Sequence, residues 1–485
     1  MTGPGPIFQL CAEDEEPAPQ LEIRNARRFV VGVEQKVPIL GGRTVDYVNF
    51  DNAATTPPLT FVLECSRRFF DWYASVHRGS GLKSLVSTHI YEKCRRIVGE
   101  FVGADPSHHT VIFTQNATAA LNKLAARLCI SGRQTVLTTT MEHHSNLLPW
   151  RRIGCNVQHA RVNPADGSLR LGDIERRLRR GRGRVDIVSV SGASNVTGHM
   201  PPVRHIARLA HEHGAMLAVD ATQLVPHRPV RMGAPDDPER FDFIVFSGHK
   251  MYAPFGCGAL VGPRAVFEEG PPDTVGGGTV NMVSTDDVMW APPPEKEEAG
   301  TPNVPGAVAL ACAARVLRSI GMENVAEHER ELTRRALRKL GRLPGLTLYG
   351  ERDPELGRDR LGVITMNVRR LGHGELAAAL GHEWGIGVRN GCFCAQPYVR
   401  ELMGVSDREM KSIAEHLAVG DHTAVPGMVR VSFGLYSTPD EVDYFVDALA
   451  SILSDGPRSE YVLDEHYRDY VPDPPLVDLD DYSPF

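Results

Sequence analysis

Lys250 lies in FDFIVFSGHKMYAPFGCGALVG, in a polar turn between two apolar runs, with Ser247 and His249 beside it. An amine held at a strand end among hydroxyl and imidazole groups suits a Schiff base to a carbonyl, because partial enclosure and nearby donors lower its pKa and keep it nucleophilic. A surface lysine in a hairpin would read the same way. The field of candidate amines is narrow, since only eight of the 53 basic residues are lysine. Upstream, AMLAVDATQLVPH ends an apolar strand on Asp220 and places Gln223 shortly after it. A carboxylate at the carboxyl edge of an open α/β sheet can pair with a protonated ring nitrogen and keep that ring an electron sink. It can equally cap the next helix.

FTQNATAALNKLAARL reads as strand, turn and helix, with Asn116, Ala117 and Thr118 at the helix start. Their N–H groups and the Thr118 hydroxyl make an anion site, or an ordinary cap. QTVLTTTMEHHSN brings His143 and His144 to a sheet edge, where an imidazole could stack on a flat ring and move protons, or serve structure alone. Asn195, in VSGASNVTG, follows another strand and could donate to a ring substituent. Taken together, a phosphate anchor, a ring-nitrogen acid, a stacking imidazole and a Schiff-base lysine at loops after successive strands describe a pyridoxal phosphate site. Arg389 (VRNG) and Arg430 (VRVS) fall on later strands, and a guanidinium fork matches the α-carboxylate of an amino acid. Arg430 is the first choice for that role, and either arginine could instead lie at a surface or interface.

These residues need a scaffold. From about residue 60 to 310 helix-period stretches alternate with short apolar runs, HTVIFTQ, QTVLTTT, VDIVSVSGA, AMLAVDATQ, FDFIVFSG and GALVG, which predicts an α/β fold with a mostly parallel central sheet covered on both faces. The expected division is an N-terminal arm over 1–45, a large cofactor-binding domain over 46–305, a smaller α+β C-terminal domain over 306–455 and a tail over 456–485. The small domain opens on a long helical pattern from about 306 to 342 and carries GVITMNV, GIGVRNG and MVRVSFG. The tail, with eight acids and five prolines, is expected to form no packed core of its own and to wrap over a neighbouring subunit.

Composition excludes several classes. With 53 basic against 60 acidic residues the formal charge is −7, so no surplus positive charge is available for nucleic acid. The N-terminus has no basic start followed by an apolar stretch, and no apolar run of about 18 residues occurs. The reading is a cytoplasmic protein with no membrane partner. Nine scattered cysteines without a CxxC pair make a disulfide scaffold or a metal site unexpected. Only Cys392 and Cys394 lie close together.

The ordered motifs YVNFDNAATTPP, HRGSG, NATAALN, MEHHSNLLPW, SNVTGHMPPV, VDATQLVPH, FSGHKMYAPFGCGAL, EEAGTPNVPG, VRNGCFCAQPYV and VRVSFGLYST, spread over about residues 46 to 453, resemble the class V, fold type I pyridoxal phosphate enzymes. The likeness is greatest to the group II (Suf-type) cysteine desulfurases and selenocysteine lyases. The resemblance implies that Lys250 forms the Schiff base, Asp220 holds the ring nitrogen, His143 stacks on the ring and Gln223 bonds the phenolic oxygen. It also implies that Ala117, Thr118, Ser247 and His249 bind phosphate, with Thr301 reaching the phosphate of a partner subunit in a homodimer. Cys394 stands where the desulfurase pattern has the nucleophile that takes sulfur from L-cysteine as a persulfide and passes it to an acceptor protein, leaving alanine. The pattern departs from GHHCA at Cys392 and Phe393, and HRGSGLKS lacks the usual histidine. Two alternatives accompany this reading: a C–S lyase or aminotransferase acting on a cysteine conjugate or another amino acid, and a scaffold that keeps the fold without turnover.

Overall fold

The computed structural model describes residues 21–129, 133–180, 184–419, 425–464 and 466–484. Its centre is a seven-stranded sheet of β1 (His109–Thr114), β2 (Thr135–Thr139), β3 (Asn156–Ala160), β4 (Ile187–Ser191), β5 (Met216–Asp220), β6 (Phe243–Ser247) and β7 (Gly258–Pro263), in the order β1-β7-β6-β5-β4-β2-β3. β3, β2, β4, β5 and β6 run parallel, and β7 is antiparallel to both β6 and β1. The reversal follows from chain length. The stretch from Ser247 to Gly258 holds one short 3-10 turn and is too short for a helical crossover, so the strand returns antiparallel. The residues of β2, β4 and β6 are buried throughout, as a sheet covered on both faces requires. The polar β3 was absent from the strands expected; it is an edge strand that only half-buries its residues, so it carries little hydrophobic signal.

Helices α1 (Thr60–Phe70), α2 (Leu82–Phe101) and α3 (Ala117–Leu128) cover this sheet with others. The helical run expected over 306–342 is two helices, α4 (Val304–Ile320) and α5 (Met322–Leu340), broken at Gly321, whose φ of +87° is open to glycine. α4 packs on α1 and α2 inside the large core, whereas Leu332, Ala336, Leu337 and Leu340 of α5 join the second core. The first core thus extends through α4 to Val325 at the start of α5, and the second takes over further along the same helix. Among the described residues no single helix is long and apolar enough to cross a membrane.

The second core lies on an antiparallel sheet of β8 (Leu346–Tyr349), β9 (Val363–Val368), β10 (Arg389–Gly391) and β11 (Met428–Ser432), ordered β8-β9-β11-β10, with α6 (His373–Trp384) and α8 (Pro439–Asp455) among its helices, whereas Tyr398, Val399 and Leu402 of α7 (Gln396–Met403) pack in a separate cluster with Met141, Val162 and Val196. Val48 and Phe50, from the approach to the first motif, are buried in this same core.

The tail departs from expectation. Its strands β12 (Tyr461–Asp464) and β13 (Asp469–Pro472) form a hairpin on α6 of their own chain. The Tyr461 hydroxyl and the Arg458 amide both donate to the buried Glu383 at 2.8 Å, so two aromatic-rich strands find a core that their acidic composition hides. Part of the arm, residues 1–20, lies outside the described residues; the rest adds a hairpin, Lys36–Ile39 with Arg43–Asp46. The structure also joins Cys129, at the end of α3, to Cys155, just before β3, a local bridge that scattered spacing did not point to.

Candidate active site

β1, β2, β4, β5 and β6 all end at one edge of the large sheet, and the loops leaving that edge enclose a cavity of about 380 Å³ against β10 and β11 of the small domain. Of the thirteen residues assigned a cofactor, substrate or catalytic role, twelve line it: Lys250, Asp220, His143, Gln223, Asn195 and Ser247 from the sheet edge, Ala117 and Thr118 from α3, His249 from the lysine turn, and Arg389, Arg430 and Cys394 from the small domain; Asn116 lines it too. Thr301 does not. It is exposed beside a separate cleft with Gly278 and Gly300.

Lys250 closes the 3-10 turn that follows β6. Enclosure of its amine, reinforced by the Arg430 guanidinium and opposed by Asp220 and Asp51, lowers its pKa to about 8. A usable fraction of the amine is thus uncharged near neutrality, and most of it above pH 8, where a lysine of ordinary pKa would still be protonated. The turn is pinned from outside, because the His249 carbonyl accepts from the Thr56 amide at 2.9 Å and from the Thr55 and Thr56 hydroxyls at 3.1 Å. Burial and the neighbouring Lys250 push His249 down to about 4, so at neutral pH its ring is uncharged.

Asp220 ends β5 buried, and its Oδ1 accepts from both the amide and the hydroxyl of Thr222, at 3.1 and 2.5 Å. That orients the carboxylate and leaves Oδ2 for a ring N–H. Gln223 donates Nε2 to the Ala53 carbonyl at 2.7 Å, while its buried Oε1 has no partner. A buried amide end without a partner is costly unless a ligand meets it. The His143 ring is oriented through Nδ1, which accepts from the Ser145 amide at 3.1 Å and lies 3.0 Å from its hydroxyl. Burial lowers its pKa to about 4, against the pull of Asp220.

At the start of α3 the Ala117 amide donates to Ser247 Oγ at 2.8 Å, and the Asn116 side chain caps the Ala119 amide. Thr118 Oγ1 and Ser145 Oγ lie 2.7 Å apart. Hydroxyls, a helix N-terminus and the His249 imidazole converge here as an anion site would require. Ser145 and Thr222 were not singled out from sequence, since serine and threonine in loops carry no signal of their own.

The small-domain groups differ more from expectation. Arg430 is 3% exposed and already engaged: Nη2 pairs with Asp51 Oδ1 at 2.7 Å, Nη1 donates to the Asn195 carbonyl at 3.1 Å, and the guanidinium lies over the Phe393 ring. Only its buried Nε lacks a partner. Arg389, its cross-strand neighbour, is exposed. Asn195 donates from Nδ2 to the Phe393 carbonyl at 2.7 Å, so its amide, which also lines the cavity, holds a loop of the small domain. Cys394 is exposed at the cavity mouth, and burial raises the pKa of the half-buried Cys392. Phe393 and Cys394 both adopt left-handed backbone, φ +53° and +54°, which costs about 1–2 kcal/mol per non-glycine residue.

A family model described as aminotransferase class-V matches residues 48–445. The chain belongs to the class-V aminotransferase family. Its curated relatives include a probable cysteine desulfurase of Streptomyces coelicolor, 34% identical over 435 residues that cover 87% of this chain and 96% of the relative. A cysteine desulfurase of Escherichia coli is 33% identical over 411 residues, covering 83% and 92%. Among solved structures, an apo cysteine desulfurase from Thermococcus onnurineus superposes with a TM-score of 0.76 at 30% identity, over 89% of this chain and 98% of that one. A second, from Escherichia coli, gives 0.70 at 28% identity, over 84% and 94%.

Class-V aminotransferase membership implies pyridoxal phosphate, and the cavity fits that group. Its enclosed amine, the Asp220 carboxylate with Oδ2 available and the hydroxyl cluster at α3 match a carbonyl, a ring nitrogen and a phosphate in turn.

Proposed function

We propose that this protein is a cysteine desulfurase that converts L-cysteine to L-alanine and takes the sulfur on Cys394 as a persulfide. The observation that carries the reading is that an exposed thiol, Cys394, and an enclosed amine of lowered pKa, Lys250, face one cavity. The desulfurase names of the relatives support it.

Pyridoxal phosphate, when bound, supplies the carbonyl that condenses with amines and the ring that accepts the electron pair released at the substrate Cα. Lys250 would hold that carbonyl and move the proton at Cα. Asp220 Oδ2 would keep the ring nitrogen protonated, Gln223 would meet the phenolic oxygen, and His143 would stack on the ring. Ala117, Thr118, Ser247, His249 and the additional Ser145 would hold the phosphate. Arg430 and Arg389 would receive the α-carboxylate. The Cys394 thiolate attacks the substrate sulfur; the new S–S bond forms as the Cβ–S bond breaks and its electron pair stays with the carbon skeleton, which leaves as alanine after protonation.

The same reading makes the working unit a homodimer in which Thr301 reaches the phosphate of the partner, and the exposure of Thr301 outside its own cavity supports this. A sulfur-acceptor protein then removes the persulfide from the exposed Cys394.

Product analysis tests the proposal. Purified protein with L-cysteine and a thiol reductant should yield alanine and sulfide in equal amounts, and Cys394→Ala should stop alanine release while keeping the cofactor absorbance. Pyruvate in place of alanine, or turnover surviving Cys394→Ala, would overturn it.

A further inference from the structure

The segment that carries the thiol is a tight turn. The Ala395 amide donates to the Cys392 carbonyl at 2.9 Å, and the two central residues, Phe393 and Cys394, both have positive φ. Such turns are normally built from glycine and asparagine, which enter the left-handed region without penalty. Two consecutive non-glycine residues stay there only where the surroundings over-determine them, and such sites are concentrated at functional positions.

Those surroundings come from two loops of the large domain. The carbonyl of Phe393 accepts from the Asn195 side chain at 2.7 Å, and the carbonyl of Cys394 accepts from the His144 amide at 2.7 Å. Immediately beyond the turn, the Gln396 amide donates to Nε2 of His144 at 3.2 Å. Gln396 is the first residue of α7, where a helix leaves its amides without intrahelical partners, so this imidazole caps the helix that anchors the turn. His144 thus grips both sides of the thiol-bearing residue, and Asn195 grips the residue before it. His144 also follows His143 directly: His143 caps the short 3-10 turn, His144–Asn146, that His144 opens.

We propose that His144 and Asn195 are positioning residues that hold the Cys392–Ala395 turn in its left-handed form and so fix where the Cys394 sulfur stands relative to Lys250. The inference rests on Cys394 being the sulfur-accepting nucleophile. Neither residue touches the reacting atoms in this role. The clamp acts by geometry, since displacing a nucleophile by about 1 Å costs on the order of 100-fold in rate.

The test compares His144→Gln, whose amide oxygen reaches the place of Nε2, with His144→Asn, which is too short, both as cofactor-loaded enzyme. Hydrogen exchange is read by mass spectrometry on the peptide spanning 392–398, and kcat and KM are read for alanine formation from L-cysteine. In His144→Asn the exchange of this peptide should rise about ten-fold and kcat fall about ten-fold at an unchanged KM, with the cofactor absorbance retained. His144→Gln should restore both. Exchange and kcat in His144→Asn equal to wild type, or equal losses in the two variants, would overturn the proposal. Asn195→Ala removes the other grip and decides the matter if His144→Asn does not fold: faster exchange of the same peptide is expected, and unchanged exchange overturns the clamp. The exchange measurement needs no substrate, so wild-type enzyme that makes no alanine would sink the desulfurase reading while leaving the clamp to be judged by exchange.

Discussion

Asp51 stands against two arginines that are direct cross-strand neighbours: its Oδ1 is 2.7 Å from Nη2 of Arg430 and its Oδ2 is 3.9 Å from Nη1 of Arg389. Like charges opposite one another in a sheet repel, and the carboxylate offsets that repulsion at the place where a substrate carboxylate would arrive. Asp51 comes from the DNAATT loop, tied to β11 because the Ala53 amide donates to Ser432 Oγ at 2.8 Å and Asn52 Nδ2 donates to the Ser432 carbonyl at 3.0 Å.

Asp51→Asn should therefore lower KM for L-cysteine several-fold, because the arginines lose an internal competitor for the α-carboxylate. Removing one partner of a largely buried pair should also lower stability, by about 3 kcal/mol. Steady-state kinetics and chemical denaturation check the two effects, and an increase in KM would refute the competitor role.

The lowered pKa of Lys250 gives a pH signature to cofactor capture. A lysine of ordinary pKa would stay protonated through neutrality, whereas one held near 8 becomes uncharged as the pH rises through 8. Rebinding of pyridoxal phosphate to apo-protein, followed by absorbance, should quicken between pH 7 and 9, by about ten-fold per unit below the pKa, and then level off. Lys250→Ala should abolish this covalent signature at every pH.

Glu142 is fully buried behind His143, accepting from the Thr139 and Ser191 hydroxyls at 2.5 and 2.6 Å and from Asn146 Nδ2 at 2.8 Å. Burial outweighs these donors and raises its pKa to about 7. A carboxyl whose folded pKa lies above its unfolded value stabilises the fold at low pH and loses that contribution as pH rises through the folded pKa. Between about pH 4.5 and 7 the loss amounts to about 3 kcal/mol. Glu142→Gln should remove this slope, measured as denaturation midpoints across that range; an unchanged slope would contradict the assignment.

Glu329, from α5, links the two cores. It pairs with Arg228, lies 3.4 Å from Nδ1 of His227 and accepts from the Gly362 amide, all buried. Glu329→Ala strands the Arg228 charge and should cost about 3–5 kcal/mol, read from denaturant unfolding. The Glu329 pKa is held down by His227 and Arg228 against burial, so its contribution is present at neutral pH and lost as the pH falls through the lowered pKa.

Much of the large domain and of its half of the cavity was legible in the amino-acid order. The hydrophobic runs that form β2, β4 and β6 are fully buried strands and β5 is buried but for its first residue, and a parallel sheet must deliver the residues that follow them to one edge, so Asp220, His143 and Lys250 were bound to meet once the period was read. What stayed hidden depends on distance and not on order. Asp51 meets Arg430 across 379 positions, and Asn195 meets the Phe393 carbonyl across 198. The first core runs on past α4 to Val325 because α4 found its partners in α1 and α2, and the tail's tyrosines found α6 although their acidic neighbours suggested solvent. Local pattern determines which elements form and which chemistry their ends carry. Only tertiary packing decides which guanidinium is already paired, which amide is spent on a turn and which way the thiol faces, because those outcomes are set by contacts between segments far apart in the chain.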